Sequence, residues 1–147
     1  MSPEENKAIV RRYYEECAND YGEPDKTQAR AVVDELLSPD FTMCFSDQSD
    51  TEAMRGKDTH KEFLVGHIQG FPGERWIIEG LIADEQTVAC RVRVEATHAE
   101  TGNPMNIRIA DFFTIQNGQL AELRRYLDFQ TLAKQMQPKD TQQEASA

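Results

Sequence analysis

Asp111 has the setting in this chain that most demands a chemical explanation. It stands within Ile109-Ala110-Asp111-Phe112-Phe113, where a carboxylate is costly unless a cation or a proton accompanies it. In an apolar pocket such a group keeps its proton and can act as an acid; beside an arginine it stays charged. Arg91, Arg93 and Arg125 fall in neighbouring apolar segments. Guanidinium groups donate forked, charge-assisted hydrogen bonds, so the set suggests a clamp for a carboxylate or an enolate. A structural ion pair of Asp111 with Arg91, Arg93 or Arg125 is the alternative.

His60 and His67 lie seven residues apart on a helical pattern and can share a face, while His98 falls in a turn. No HExxH motif or Cys/His ligand spacing is present, and no glycine-rich phosphate loop follows a strand, so neither a metal nor another cofactor is expected. Cys17, Cys44 and Cys90 are odd in number and far apart, which suits free thiols in a reducing, cytoplasmic compartment. The net charge of −10 argues against duplex nucleic acid, whose phosphates select for clustered Lys and Arg. A membrane-spanning helix needs about 20 apolar residues. The uncharged stretch from Phe63 to Gly73 is much shorter and interrupted by glycine and proline, and the N-terminal residues lack the pattern of a signal peptide.

The elements that must position these groups are legible as patterns. Ser2-Pro3-Glu4-Glu5 has the spacing of a capping box, and Ile9, Val10, Tyr13, Tyr14 and Cys17 follow at helical spacing to about Tyr21. A second helix is expected from Thr27 to Leu37, stopped by Ser38-Pro39. A short strand follows at Phe41–Phe45, then a polar loop, then a third helix at Asp58–Gln69. Beyond Gly70-Phe71-Pro72-Gly73 the period changes to two, and Arg75–Ala83, Thr87–Thr97, Met105–Gln116 and Gln119–Phe129 read as four strands, the last two joined by Asn117-Gly118. Phe129–Met136 adds a short helix. Residues 1–136 thus form a single domain, and 137–147 read as a polar, disordered tail. Helices first and an antiparallel meander afterwards predict an α+β domain with helices on one face of a curved sheet.

This order, with Asn6 to Tyr14, Leu37-Ser38-Pro39-Asp40-Phe41, Gly56-Lys57-Asp58, Val88 to Val92, Ile109 to Phe113 and Asn117 to Phe129, resembles the nuclear transport factor 2-like fold and, within it, the SnoaL-like polyketide cyclases. The resemblance implies a cone with a deep apolar pocket, and relatives that isomerise, cyclise, hydrate or dehydrate small molecules, or do no chemistry. It matches Asp111 and Tyr13 to the oxyanion-binding acid and tyrosine of ketosteroid isomerase. That enzyme's proton-abstracting aspartate falls at Phe45, two residues before Asp47. Two departures matter. The cyclase's catalytic aspartate falls at Arg125, and the epoxide hydrolase pattern of aspartates at Arg93 and Arg125 with an arginine at Arg91 is met only at Arg91. An arginine stays protonated and cannot replace a carboxylate as base.

Alternation alone would turn Val88, Cys90, Val92 and Val94 inward and leave Arg91 and Arg93 in water. The resemblance implies the reverse, with Arg91 and Arg93 in the cone and the valine face, backed by Ala110 and Phe112, covered by a second subunit of a homodimer. On that reading Asp111, Tyr13 and Arg125 are the catalytic candidates, and Arg91, Arg93, Phe113, Trp76, His60 and Phe63 contact the substrate. The expected function is cofactor-independent acid–base chemistry on a small, partly apolar and anionic ligand; a non-catalytic binding or dimerisation protein of the same fold is the alternative.

Overall fold

Ser2 caps the first helix as its spacing predicts. Its hydroxyl accepts from the Glu5 amide (3.1 Å), and the Glu5 carboxylate accepts from the Ser2 amide (3.3 Å). The computed structural model describes residues 2–138. Helix α1 (Pro3–Arg12) runs directly into a π-helical turn at Tyr13–Ala18. This wider turn buries Tyr13, Tyr14, Cys17 and Ala18 together.

Helix α2 (Thr27–Leu36) stops before Ser38-Pro39 as expected and leads straight into β1 (Leu37–Phe45), so the strand starts four residues earlier than the Phe41 expected. After a short strand β2 (Met54–Arg55) comes α3 (Lys57–Gly70), then β3 (Arg75–Ala83), β4 (Thr87–Thr97), β5 (Pro104–Gln116), β6 (Gln119–Leu127) and a final helix α4 (Phe129–Gln135). The six strands form one sheet in the order β2-β1-β6-β5-β4-β3. The four-strand meander is antiparallel as expected, but β1 joins it parallel to β6. The tail expected at 137–147 lies outside the described residues from 139 onward. No helix among the described residues is long and apolar enough to cross a membrane.

Register decides which face of the sheet is which. Cys90 pairs with Asp111, and Asp111 with Arg125, so these three side chains form one row across the inner face. Val88, Phe113 and Leu123 form the next row on one side; Val92, Ile109 and Leu127 form it on the other. Because Cys90 lies inside, Arg91 and Arg93 must lie outside. Val88, Cys90, Val92 and Val94 are buried in the core, while Arg91 is exposed and Arg93 pairs with Glu95 on the outer face. This overturns the inward placement of both arginines and the valine face as a dimer surface. Ala110 and Phe112 do lie outside, opposite Arg91 and Ala89.

Candidate active site

The polar row divides the inner face into a filled end and a hollow one. On the Val88–Phe113–Leu123 side, Tyr13, Tyr14 and Phe113 pack with ring centroids 5.5 to 5.9 Å apart and leave no solvent exposure above 1%. On the other side the sheet presents Val94, Ala96, Met105, Ile107, Ile109 and Leu127 to a cavity of about 320 Å³. Phe45, Phe71, Phe129 and Leu132 complete its apolar wall, and Asp47 and Gln48 stand at it from the loop after β1. The remaining polar side chains of the wall are His67, Glu74 and Arg125, with the Trp76 indole between them. An apolar enclosure with a few placed polar groups is the usual form of a small-molecule site.

Arg125 reaches the cavity because Asp111 holds it from behind. Its Nε donates to Asp111 Oδ1 and its Nη2 to Oδ2, both at 2.9 Å, and the Tyr14 hydroxyl donates to Oδ2 at 2.5 Å. The guanidinium carbon sits 4.3 Å from the centroid of the Trp76 ring, a cation–π contact. Burial works against the arginine's charge, but the Asp111 carboxylate outweighs it and raises the guanidinium pKa further. Arg125 Nη1 makes no hydrogen bond within the described residues and remains available as a donor. Asp111 itself is fully buried, does not line the cavity, and is wholly engaged as the partner of Arg125. The structure thus realises the ion-pair alternative for Asp111.

The second polar group is a dyad. The His67 imidazole, on the last turn of α3, shares a short hydrogen bond through Nδ1 with Glu74 Oε2. The Trp76 indole nitrogen donates to Glu74 Oε1 at 2.5 Å, so both carboxylate oxygens are engaged. Glu74, directly after Pro72-Gly73, is 2% exposed. Gly73 adopts a left-handed φ of +74°, and the end of the π-turn pins this loop: Asp20 Oδ2 accepts from the Gly73 amide, the Asp20 amide donates to the Glu74 carbonyl, and Asn19 Oδ1 accepts from the Trp76 amide. In the neutral tautomer whose Nδ1–H donates to the carboxylate, Nε2 carries the lone pair; Nε2 has no hydrogen-bond partner within the described residues.

The other expected site residues are placed as follows. Tyr13 does not reach Asp111; its hydroxyl shares a 2.7 Å hydrogen bond with His60 Nε2. Burial raises the Tyr13 pKa and, together with the Arg125 charge, pushes that of His60 down to about 3. Tyr14 takes the place expected of Tyr13, and its pKa is raised by burial and by the Asp111 charge. Phe63 stands one layer behind the wall, its ring centroid 6.1 Å from Phe45 and 5.1 Å from His67. Phe113 is in the filled core, and Arg91 and Arg93 are on the far face. Trp76 and Arg125 line the cavity. Sequence reasoning missed Tyr14 and Glu74; the doubled Tyr13-Tyr14 and an acid two residues before the single tryptophan were the available signals. Among the described residues no group of three or more His, Cys, Asp and Glu is arranged to hold a metal ion.

Residues 10–123 match the model of the SnoaL-like domain. Solved structures with the same fold include a protein from Jannaschia sp. named for the SnoaL-like polyketide cyclases, 20% identical over 91% of this chain and 92% of that one, with a TM-score of 0.78. One from Acidithiobacillus ferrooxidans named for the polyketide cyclases is 18% identical over 90% and 94%, with a TM-score of 0.74. An LEH-like epoxide hydrolase from M. tuberculosis is 17% identical over 91% and 90%, with a TM-score of 0.70. No curated protein matches the chain. With a family match over most of its length and the helix-on-curved-sheet architecture of these structures, the chain belongs to the SnoaL-like family of the nuclear transport factor 2-like fold.

Proposed function

We propose that the protein is a cofactor-independent enzyme that moves a proton on a small, largely apolar carbonyl compound, as an isomerase, cyclase or dehydratase does. The observation that carries this reading is the His67–Glu74 dyad at the wall of an apolar cavity that also holds the Arg125 guanidinium. His67 Nε2 would take a proton from the carbon next to the carbonyl, and the C–H electrons would move into the carbonyl oxygen. That oxyanion would accept from Arg125 Nη1, and Glu74 would stabilise the imidazolium. Return of the proton to another carbon is isomerisation, loss of a neighbouring leaving group is elimination, and attack on a second carbonyl is ring closure.

The acid–base role therefore passes from Asp111 to His67, and Asp111, Tyr14 and Trp76 hold Arg125. Of the three arginines of the expected clamp, Arg125 alone keeps that role. A second copy of the chain would cover the outer sheet face, where Phe112 and Tyr126 pack edge to face and remain over 40% exposed. The three free thiols fit the reducing cytoplasm.

The test needs no knowledge of the natural substrate. Cyclohexylacetone incubated with the protein in deuterium oxide should exchange the hydrogens next to its carbonyl faster than in buffer, read by proton NMR. His67→Gln and Glu74→Gln should each abolish the acceleration. Acceleration that survives both substitutions would remove the dyad from the base role, and no acceleration by the unsubstituted protein would leave the second reading, a non-catalytic binding protein, which the complete engagement of Asp111 also suits.

A further inference from the structure

The charges around His67 can be counted element by element. From α3 itself comes His60, neutral near neutral pH because burial depresses its pKa. From β6 and β5 come Arg125 and Asp111, which cancel as an ion pair. The loop before β3 brings Glu74, buried, and the loop after β1 brings Asp47, exposed at the cavity wall. His98, in the β4–β5 turn, faces Phe71 and bonds Thr101 through Nδ1. Behind Glu74, the Lys26 ammonium donates to the carbonyls of Cys17, Ala18 and Asn19 and is balanced by Asp20 and Glu23 as well as by Glu74. Within this set Arg125 is matched by Asp111, and Lys26 is shared among Glu74, Asp20 and Glu23, so Glu74 has only part of a counter-charge while His67 is neutral. His67 is the group beside it that can supply one by taking a proton.

We propose that this cavity binds an apolar organic carboxylate only together with one proton, accepted by His67, and binds neutral carbonyl compounds without one. A carboxylate seated on Arg125 Nη1 adds a negative charge to a largely apolar enclosure that already holds the buried Glu74 charge. Burying a second uncompensated charge there is prohibitive, and the imidazolium–Glu74 pair removes it. A ketone adds no charge until its own proton has moved to His67. Carboxylates are therefore inhibitors that occupy the site in its protonated form, and substrates for turnover arrive uncharged. The inference rests on the same cavity as the proposed function but requires no turnover.

The experiment compares two ligands of equal shape, cyclohexylacetate and cyclohexylacetone, on the full chain by titration calorimetry in buffers of different ionisation enthalpy. The working pH is set about one unit above the His67 titration midpoint measured by NMR. Carboxylate binding should take up close to one proton and ketone binding none, and the carboxylate Kd should rise about tenfold per pH unit above that midpoint. His67→Gln should abolish the pH dependence. Glu74→Gln, which removes the buried charge, should let the carboxylate bind without proton uptake. Carboxylate binding without a proton in the unsubstituted protein, uptake that persists in His67→Gln, or failure of the carboxylate to bind would overturn the proposal. Loss of the deuterium exchange with proton uptake intact would remove the catalytic reading alone.

Discussion

The Trp76 ring lies under the Arg125 guanidinium, 4.3 Å from its carbon, while the indole nitrogen of the same residue donates to Glu74. One side chain therefore supports both polar groups of the cavity, the cation through its π face and the dyad through its N–H. Its ring also stacks on Tyr14, at 5.7 Å and 28°, whose hydroxyl reaches Asp111. The two functions of Trp76 can be separated. Trp76→Phe keeps a ring beneath Arg125 and removes the donor to Glu74; it should fold normally by circular dichroism and lower the deuterium-exchange rate about tenfold, as loss of one supporting hydrogen bond does. Trp76→Ala should lose exchange and cost about 3–5 kcal/mol in urea denaturation.

Asp111 and Arg125 stabilise the fold only as a pair. Removing one partner strands the other in the core, so Asp111→Asn and Arg125→Met should each cost about 3–5 kcal/mol. The double variant Asp111→Leu with Arg125→Met should recover much of that loss while abolishing exchange. A single variant that loses under about 1 kcal/mol would mean that water reaches the remaining charge.

His60 makes stability depend on acid. The native state holds it neutral down to a pKa of about 3, whereas the unfolded chain binds the proton near 6.5. Between those values the unfolded state carries more protons, so stability is complete above the upper value and falls as pH falls, by about 1.4 kcal/mol per unit from this residue. Circular dichroism in urea from pH 7 to pH 4 should show that slope, and a His60→Leu, Tyr13→Phe double variant should lack it.

The outer placement of Arg91 and Arg93 is checked by their replacement with alanine. Both variants should retain deuterium exchange and stay within about 0.5 kcal/mol of the parent, as surface substitutions do. Exchange lost in either would restore the inward reading.

Phe112→Lys combined with Tyr126→Glu should turn a dimer into a monomer in sedimentation velocity with the helical signal unchanged. A parent protein that is already monomeric would leave the outer face without a second copy.

The sequence by itself determined the local elements to within a few residues at their ends: the Ser2–Glu5 cap, the first helix to about Tyr21, the helices over 27–37 and 58–69, and the four strands of the meander with their turns. These follow from interactions a few residues apart, and period-two alternation marks a strand whichever way it faces. It also flagged Asp111 and Arg125, because a charge in an apolar run needs a partner. Alternation in β4 also turned Val88, Cys90, Val92 and Val94 inward, as burial and the pairing of Cys90 with Asp111 bear out; the family resemblance had reversed that face, and only register decided between the two. The π-turn that carries Tyr14 rather than Tyr13 to Asp111 is likewise a tertiary outcome, since an ordinary helix fits the same residues. Most of all, nothing in the neighbours of Glu74, just after a Pro-Gly turn, singles it out; only the packing of α3, the π-turn and β3 around it turns its carboxylate inward and pairs it with His67. Side chains far apart in sequence meet through burial and register, and neither is written in the spacing of residues along one strand.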